Sequence, residues 1–187
     1  GDKNLFSKKS LQYTHRSEMM PAMLEVNGYD CVGKDYFIEQ LVRRCPSVVI
    51  APRIKEIFPS LGGKSFSERA IYYESMSAID YAHMQANLHS QKNAIVGALI
   101  NTSRVVVVNR GYNTVLADII TRLALADYAL ERAHQIAYQI CAQEGFMPLD
   151  GKVVNLDLKG SIEDVMYVLQ NRKLKREGQH LSEFEMK

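Results

Sequence analysis

The stretch YNTVLADIITRLALADYALERAHQIAYQICAQE, residues 112–144, decides the fold class expected from this sequence. Apolar side chains recur through it at every third or fourth position, which is the spacing of an α-helix with one buried face. Gly145 follows, and glycine is common just after a helix end. The pattern therefore predicts one long helix from Tyr112 to about Glu144. Its apolar positions are Val115, Leu116, Ile119, Ile120, Leu123, Ala126, Leu130, Ala133, Ala137 and Ile140.

A second long helix is predicted earlier in the chain. The residues Ser65-Phe66-Ser67-Glu68 fit a capping box, and a helical pattern continues from there to about Ile100. Two helices of about thirty residues, each apolar along one face, most simply form an antiparallel pair. Neither helix can bury its apolar face against the other alone, so the short N-terminal helix or a second copy of the chain must cover the rest.

The remaining elements are shorter. Residues 23–26 form a strand that ends in the turn signal Asn27-Gly28, and residues 35–45 form a short helix. Residues 47–50 are either a second strand or a buried connection, and residues 105–108 are either a short β-segment or a helix start. The expected fold class is mainly α, of the α+β type, with two long antiparallel helices and minor β-structure.

The turn Pro148-Leu149-Asp150-Gly151 is the best candidate domain boundary. It divides the chain into a basic N-terminal arm (1–20), a helical body (21–147) and an appended strand-helix unit (148–187).

Composition excludes several classes of protein. The chain has 187 residues, 47% of them hydrophobic and 24% charged, so it is neither disordered nor fibrous. A net charge of +2 does not by itself indicate nucleic acid. The three cysteines form no CxxC pair, and we see neither a signal peptide nor an apolar stretch long enough for a bilayer. We therefore expect a cytoplasmic protein without a membrane partner.

The C-terminal segment has its own pattern. Apolar Val154, Leu156 and Leu158 alternate with polar residues, which predicts a strand with one apolar face. A helix start follows at Ser161, Gly178 ends that helix, and residues 180–184 could begin another.

This order of strand, helix, glycine turn and helix resembles the ribbon-helix-helix family of DNA-binding dimers. The resemblance implies a homodimer whose paired strands enter the major groove of DNA, which is wide enough to admit them. The second helix start would bind a phosphate. The DNA-binding residues implied are Val153, Asn155, Asp157 and Lys159 in the groove, with Arg172, Lys173, Lys175, Arg176, His180 and Ser182 at the phosphates.

With a helical body attached, the whole chain resembles the AcaB-type regulators of conjugative plasmids and integrative elements. The resemblance implies a transcriptional regulator that is not an enzyme and needs no cofactor.

Two alternatives remain open. One is a helical adaptor that binds protein through tyrosine-bearing helix faces. The other is a di-metal helical-bundle enzyme, because Asp80/His83 and Glu131/His134 each have an acidic residue three positions before a histidine.

The sequence Gly62-Gly63-Lys64-Ser65 imitates the end of a phosphate-binding loop, but Phe58 stands where the first glycine is required. We interpret it as a turn before a capped helix.

Overall fold

The structure is a computed structural model that describes residues 22–28, 32–102, 105–149, 152–161, 163 and 166–167. The predicted N-terminal arm and the predicted basic cluster at 172–176 lie outside these residues. The elements in chain order are β1 (Ala22–Asn27), α1 (Lys34–Arg44), β2 (Val48–Ile50), α2 (Ile54–Ile57), α3 (Pro59–Gly62), α4 (Phe66–Glu74), α5 (Ala78–Thr102), β3 (Val105–Asn109), α6 (Tyr112–Leu125), α7 (Leu130–Gln143) and β4 (Lys152–Asp157).

The four strands form one parallel sheet in the order β2-β3-β1-β4. Both helices and strands are therefore present, as expected, but the β-structure is the centre of the fold rather than a minor addition. Helices connect successive strands, because a parallel pair needs a long crossover. The run Val105-Val106-Val107-Val108 suits a central strand of such a sheet, which is buried on both faces.

Each face of the sheet has its own apolar core. On one face, Ile38 of α1 packs with Val26 and Val107. On the other face, Val96 of α5 belongs to a cluster with Met23 and Val106. The alternation of side chains along β1 and β3 sends neighbouring residues to opposite cores.

A third core lies among α5, α6 and α7, where Leu123, Ala137 and Phe146 are buried together. The prediction of one helix from 112 to 144 is wrong at its middle. Helix α6 ends at Leu125 and α7 begins at Leu130, and between them Asp127 has a φ of 66°. A left-handed residue ends an α-helix, and aspartate tolerates that conformation better than most residues.

The prediction of one helix from 65 to about 100 is also wrong. Its beginning is confirmed, because Ser65 and Glu68 form the expected capping box at the start of α4. The chain leaves the helix at residues 75–77, and Ser77 Oγ accepts a hydrogen bond of 3.1 Å from the Asp80 backbone N–H at the start of α5. Serine is favoured at such starts because its hydroxyl satisfies a free N–H.

The predicted C-terminal strand is present as β4, but it pairs in parallel with β1 of the same chain. Val153, which the resemblance places in the DNA groove, packs against the core beside α5, and Val154, which belongs to the predicted apolar face, is 47% exposed. Within this chain the sheet uses both faces of its strands, and the assignment of β4 residues to DNA contacts stays a prediction. Glu163, Met166 and Tyr167 are helical, and the described part of the chain shows no clear ribbon-helix-helix unit.

Candidate functional site

The topology of the sheet indicates where a ligand would bind. From β1 the chain passes through α1 to β2, on one side, whereas from the neighbouring β3 it passes through α6 and α7 to β4, on the other side. The connections that follow these two adjacent strands therefore lead in opposite directions. In open parallel sheets this arrangement leaves a crevice outside the carboxyl ends of the two strands, and ligands bind there.

The connection from β1 to α1 has a recognisable glycine-lysine pattern. The sequence Gly28-Tyr29-Asp30-Cys31-Val32-Gly33-Lys34 has the spacing G-x-x-x-x-G-K, and it lies between a strand and a helix. That context is the one in which this motif forms a phosphate-binding loop. The structure does not describe Tyr29, Asp30 and Cys31.

Both glycines of the pattern have backbone conformations that side chains disfavour. Gly28 has a φ of 132°, and a Cβ added there would lie 2.6 Å from the carbonyl oxygen of Leu158. Gly33 has a φ of 98° and is the N-cap of α1. Glycine is therefore required at Gly28 by close approach and by conformation, and at Gly33 by conformation alone.

Lys34 is the first residue of α1 and is only 7% exposed. Its Nζ donates a hydrogen bond of 2.7 Å to the carbonyl oxygen of Gly28, so the ammonium group lies beside the first glycine of the pattern. No side chain caps the start of α1. The N-terminus of a helix, its dipole and the lysine together favour an anion at this position.

Asp35 follows the lysine, at the position where this motif usually has serine or threonine. Its Oδ1 accepts a hydrogen bond of 2.7 Å from Asn109 Nδ2 at the end of β3, and its Oδ2 lies 3.9 Å from Arg53 Nη1. Within the described residues, Asn109 Oδ1 is buried and has no hydrogen-bond partner. An oxygen with that geometry can accept from a bound ligand or water.

Asn27 holds the end of β1 against both neighbouring strands. Its Oδ1 accepts from the Gly111 N–H at 3.1 Å and from Thr114 Oγ1 at 2.7 Å. Its Nδ2 donates to Asn155 Oδ1 on β4 at 3.2 Å. This network fixes the turn between β3 and α6 in relation to the glycine loop.

Two buried charged residues lie behind the same turn. Lys92 of α5 is 2% exposed, and its Nζ donates to the carbonyl oxygen of Asn109 at 2.9 Å. The pKa of Lys92 is lowered to about 8, mainly by burial and also by the charge of Arg110, whereas the Glu25 carboxylate acts in the opposite direction. Burial raises the pKa of Glu25, although a hydrogen bond from the Tyr112 backbone and the charge of Lys92 act in the opposite direction.

Arg110 directly follows β3 and is exposed at the same edge of the sheet. Its φ is 63°, which is uncommon for a residue with a long side chain. Its N–H donates to the carbonyl oxygen of Val26 at 3.1 Å, so the end of β1 holds this turn in place. Strained residues of this kind concentrate at binding and catalytic sites.

The structure brings only one of the predicted DNA-binding residues into this site, namely Asn155 through its bond to Asn27. Val153 is partly buried in a core, and Asp157 and Lys159 are exposed near the end of β4. The other predicted contacts lie outside the described residues, and they are Arg172, Lys173, Lys175, Arg176, His180 and Ser182.

The predicted metal-binding pairs are not brought together. Nδ1 of His83 lies 2.7 Å from Oε1 of Glu144, and Asp80 instead accepts from Ser77 Oγ at 2.6 Å. Over the ranges that the structure covers, no group of three or more histidine, cysteine, aspartate or glutamate side chains is placed to hold a metal. Within those ranges there is also no helix long and apolar enough to span a bilayer.

The glycine-lysine pattern at 28–34 was the signal that sequence reasoning missed. Gly28 had a sufficient explanation as part of a turn, and Asp35 breaks the strict form of the motif. The Gly62-Gly63-Lys64-Ser65 sequence has the serine but begins at the last residue of the short helix α3 rather than after a strand. The position between a strand and a helix, rather than the residue after the lysine, distinguishes the two sequences.

Comparison with known proteins adds no family to this description. No protein-family model matches the chain, and no curated protein is significantly similar to it. The function must be argued from the site.

Proposed function

We propose that this protein binds the phosphate groups of a nucleoside triphosphate in the loop between β1 and α1. The observation that carries the proposal is the G-x-x-x-x-G-K sequence placed between a parallel strand and a helix, at the switch point of the sheet. Phosphate-binding loops use their backbone N–H groups and the lysine to hold the phosphates. The buried Lys34 and the positive φ angles of both glycines support this assignment.

The residues of the site suit phosphoryl transfer, which depends mainly on positioning and on charge stabilisation. In this proposal Lys34 exchanges its bond to the Gly28 carbonyl for a phosphate oxygen. Arg53 and Arg110 provide further positive charge at the same edge of the sheet, at the ends of β2 and β3. The Asn27 network keeps the β3–α6 turn in place relative to the loop while the ligand binds.

The site also fits a magnesium ion, which usually accompanies a bound triphosphate and neutralises its charge. Magnesium prefers oxygen ligands and keeps most of its waters, so one or two carboxylates suffice on the protein side. Asp35 is the residue that would hold it. The unpartnered Asn109 Oδ1 suits a water molecule of a hydrated ion.

The test is direct binding, measured by calorimetry with ATP, GTP and inorganic tripolyphosphate in the presence of magnesium. Tripolyphosphate reports on phosphate recognition without a base. We expect Lys34→Met to weaken the tightest of these probes by about 10–100-fold, because a hydrogen bond to a charged group contributes about 1.5–3 kcal/mol.

Lys64→Met is the matched control, since Lys64 belongs to the other glycine-lysine sequence and its Nζ lies 5.7 Å from the centroid of the Tyr72 ring. It should leave binding unchanged. Thermal unfolding of both variants shows whether they are folded. If a folded wild-type protein binds none of the three probes, or if the two variants lose affinity equally, the proposal is wrong.

DNA binding by a homodimer, as in a transcriptional regulator, remains a separate prediction from the sequence. A gel-shift assay at two salt concentrations tests it, because contacts with DNA phosphates weaken steeply as salt rises. The substitution Asn155→Ala distinguishes the two functions. It should relax sequence preference if Asn155 reads a base, and should have only a small effect on nucleotide affinity if Asn155 supports Asn27.

A further inference from the structure

The substitution of the usual hydroxyl residue by Asp35 changes the charge of the proposed phosphate site. A serine or threonine at this position is neutral and approaches the cation and phosphates without repulsion. A carboxylate carries a full negative charge into the same place. The inference below rests on the proposed function, and it concerns how that site is regulated.

The contacts of Asp35 neutralise its charge only in part. Asn109 donates one neutral hydrogen bond to it, and Arg53 lies 3.9 Å away with its side chain 46% exposed. An exposed pair at that distance interacts weakly because water screens both charges.

We infer that Asp35 makes triphosphate binding conditional on a divalent cation. Without the cation, the Asp35 carboxylate and the phosphate oxygens repel one another beside the same helix start. When the cation is bound, the Asp35 carboxylate and the phosphate oxygens are both attracted to it, and this attraction outweighs their repulsion.

The experiment compares wild type, Asp35→Ser and Asp35→Asn, each with excess magnesium and with EDTA. The probe is the tightest of ATP, GTP and tripolyphosphate. Asp35→Ser restores the usual residue of the motif. Asp35→Asn removes the charge but leaves an amide oxygen that can still accept the hydrogen bond from Asn109, so the local structure is retained.

We expect removal of magnesium to weaken binding to wild type, with about ten-fold of the loss due to Asp35, as two charges about 6 Å apart predict at an effective dielectric constant near 40 for an exposed carboxylate. The loss for Asp35→Ser should be about ten-fold smaller. In EDTA, Asp35→Asn should bind more tightly than wild type, which is the reverse of what a merely damaged site would show.

Two failures can be told apart. If magnesium removal weakens wild type and both variants equally, or if Asp35→Asn does not bind more tightly than wild type in EDTA, the inference about Asp35 is overturned while the proposed function stands. If wild type binds no probe with or without magnesium, the proposed function fails and this inference with it.

Discussion

Around the carboxyl ends of β1 and β3 the interior of the protein is polar, whereas the core among α5, α6 and α7 is apolar. The first region buries Glu25, Asn27, Lys34 and Lys92, and each of them takes part in a hydrogen bond. The hydrophobic cluster of the second region consists of alanine, valine, leucine, isoleucine, cysteine and phenylalanine. Helix α5 also buries Gln85 and His89, the latter beside the Phe146 ring.

The difference indicates which region serves function. Burying charged groups is unfavourable unless they are paired, and apolar residues of the same size would stabilise the fold equally well or better. A protein keeps such groups where they position a ligand or its contacts. Stability should therefore depend mainly on the helical core, and ligand affinity on the ends of the strands.

The largest effect should come from the helical core. Leu123 is fully buried there, so Leu123→Ala should lower the free energy of unfolding by about 2–5 kcal/mol. Leu125→Ala is the matched control, because Leu125 is 77% exposed, and its effect should be within about 0.5 kcal/mol. Chemical denaturation measures both. The nucleotide affinity of folded Leu123→Ala should equal that of wild type. A loss of affinity in this variant would contradict the proposal that stability depends on the helical core and affinity on the ends of the strands.

An acid-dependent effect should follow from His89, which packs beside the Phe146 ring. Burial lowers the pKa of His89 to about 3, and the charges of Lys92 and Arg110 contribute. Below pH 6.5 the His89 side chain binds a proton in the unfolded chain but not in the folded chain. The free energy of unfolding therefore falls as the pH drops from 6.5 towards 3.

Between pH 7 and pH 4.5 this group alone removes about 3 kcal/mol from the free energy of unfolding. His89→Gln does not titrate, so it should lose that much less over the same range. Urea denaturation at the two pH values measures the difference. Equal losses for the two proteins would mean that His89 is protonated in the folded state.

A base-dependent effect should follow from Lys92 at the polar region. Its pKa is lowered from 10.5 to about 8, so between these values the folded chain has released a proton that the unfolded chain still holds. Stability contributed by this group therefore rises with pH across that window. We expect a rise of about 2 kcal/mol from pH 8 to pH 9.5 in wild type relative to Lys92→Met. The same slope in both proteins would mean that the pKa of Lys92 is not lowered in the folded chain.

Much of the local structure could be predicted from the sequence, because local patterns specify it. The strand at 22–27, the helix after it and the Ser65 capping box all carry short-range signals. The break at Asp127 could not be predicted, because apolar residues of α7 continue the spacing of α6. The parallel pairing of β1 with β4 joins distant segments, and periodicity within either strand contains no information about it.

The candidate site divides in the same way. Gly28, Gly33 and Lys34 form a local motif that the sequence displays, although Asp35 obscures it. The supporting residues come from separate parts of the chain, as with Lys92 bonding to Asn109, and no spacing rule connects them. Only the fold shows that they meet at one edge of the sheet.

The smallest effect should distinguish glycines that the fold needs from one that it does not. Gly97 lies within α5, and a Cβ added there meets no atom within 4 Å. Gly97→Ala should raise the free energy of unfolding by about 0.5–1 kcal/mol, since alanine has the higher helix propensity. Gly111→Ala should instead destabilise, because its methyl group would overlap the Glu25 carboxylate behind the proposed site. Thermal and chemical unfolding of both variants, together with nucleotide affinity, provide the measurement. Stabilisation by both substitutions would show that the turn after β3 is less tightly held than its contacts imply.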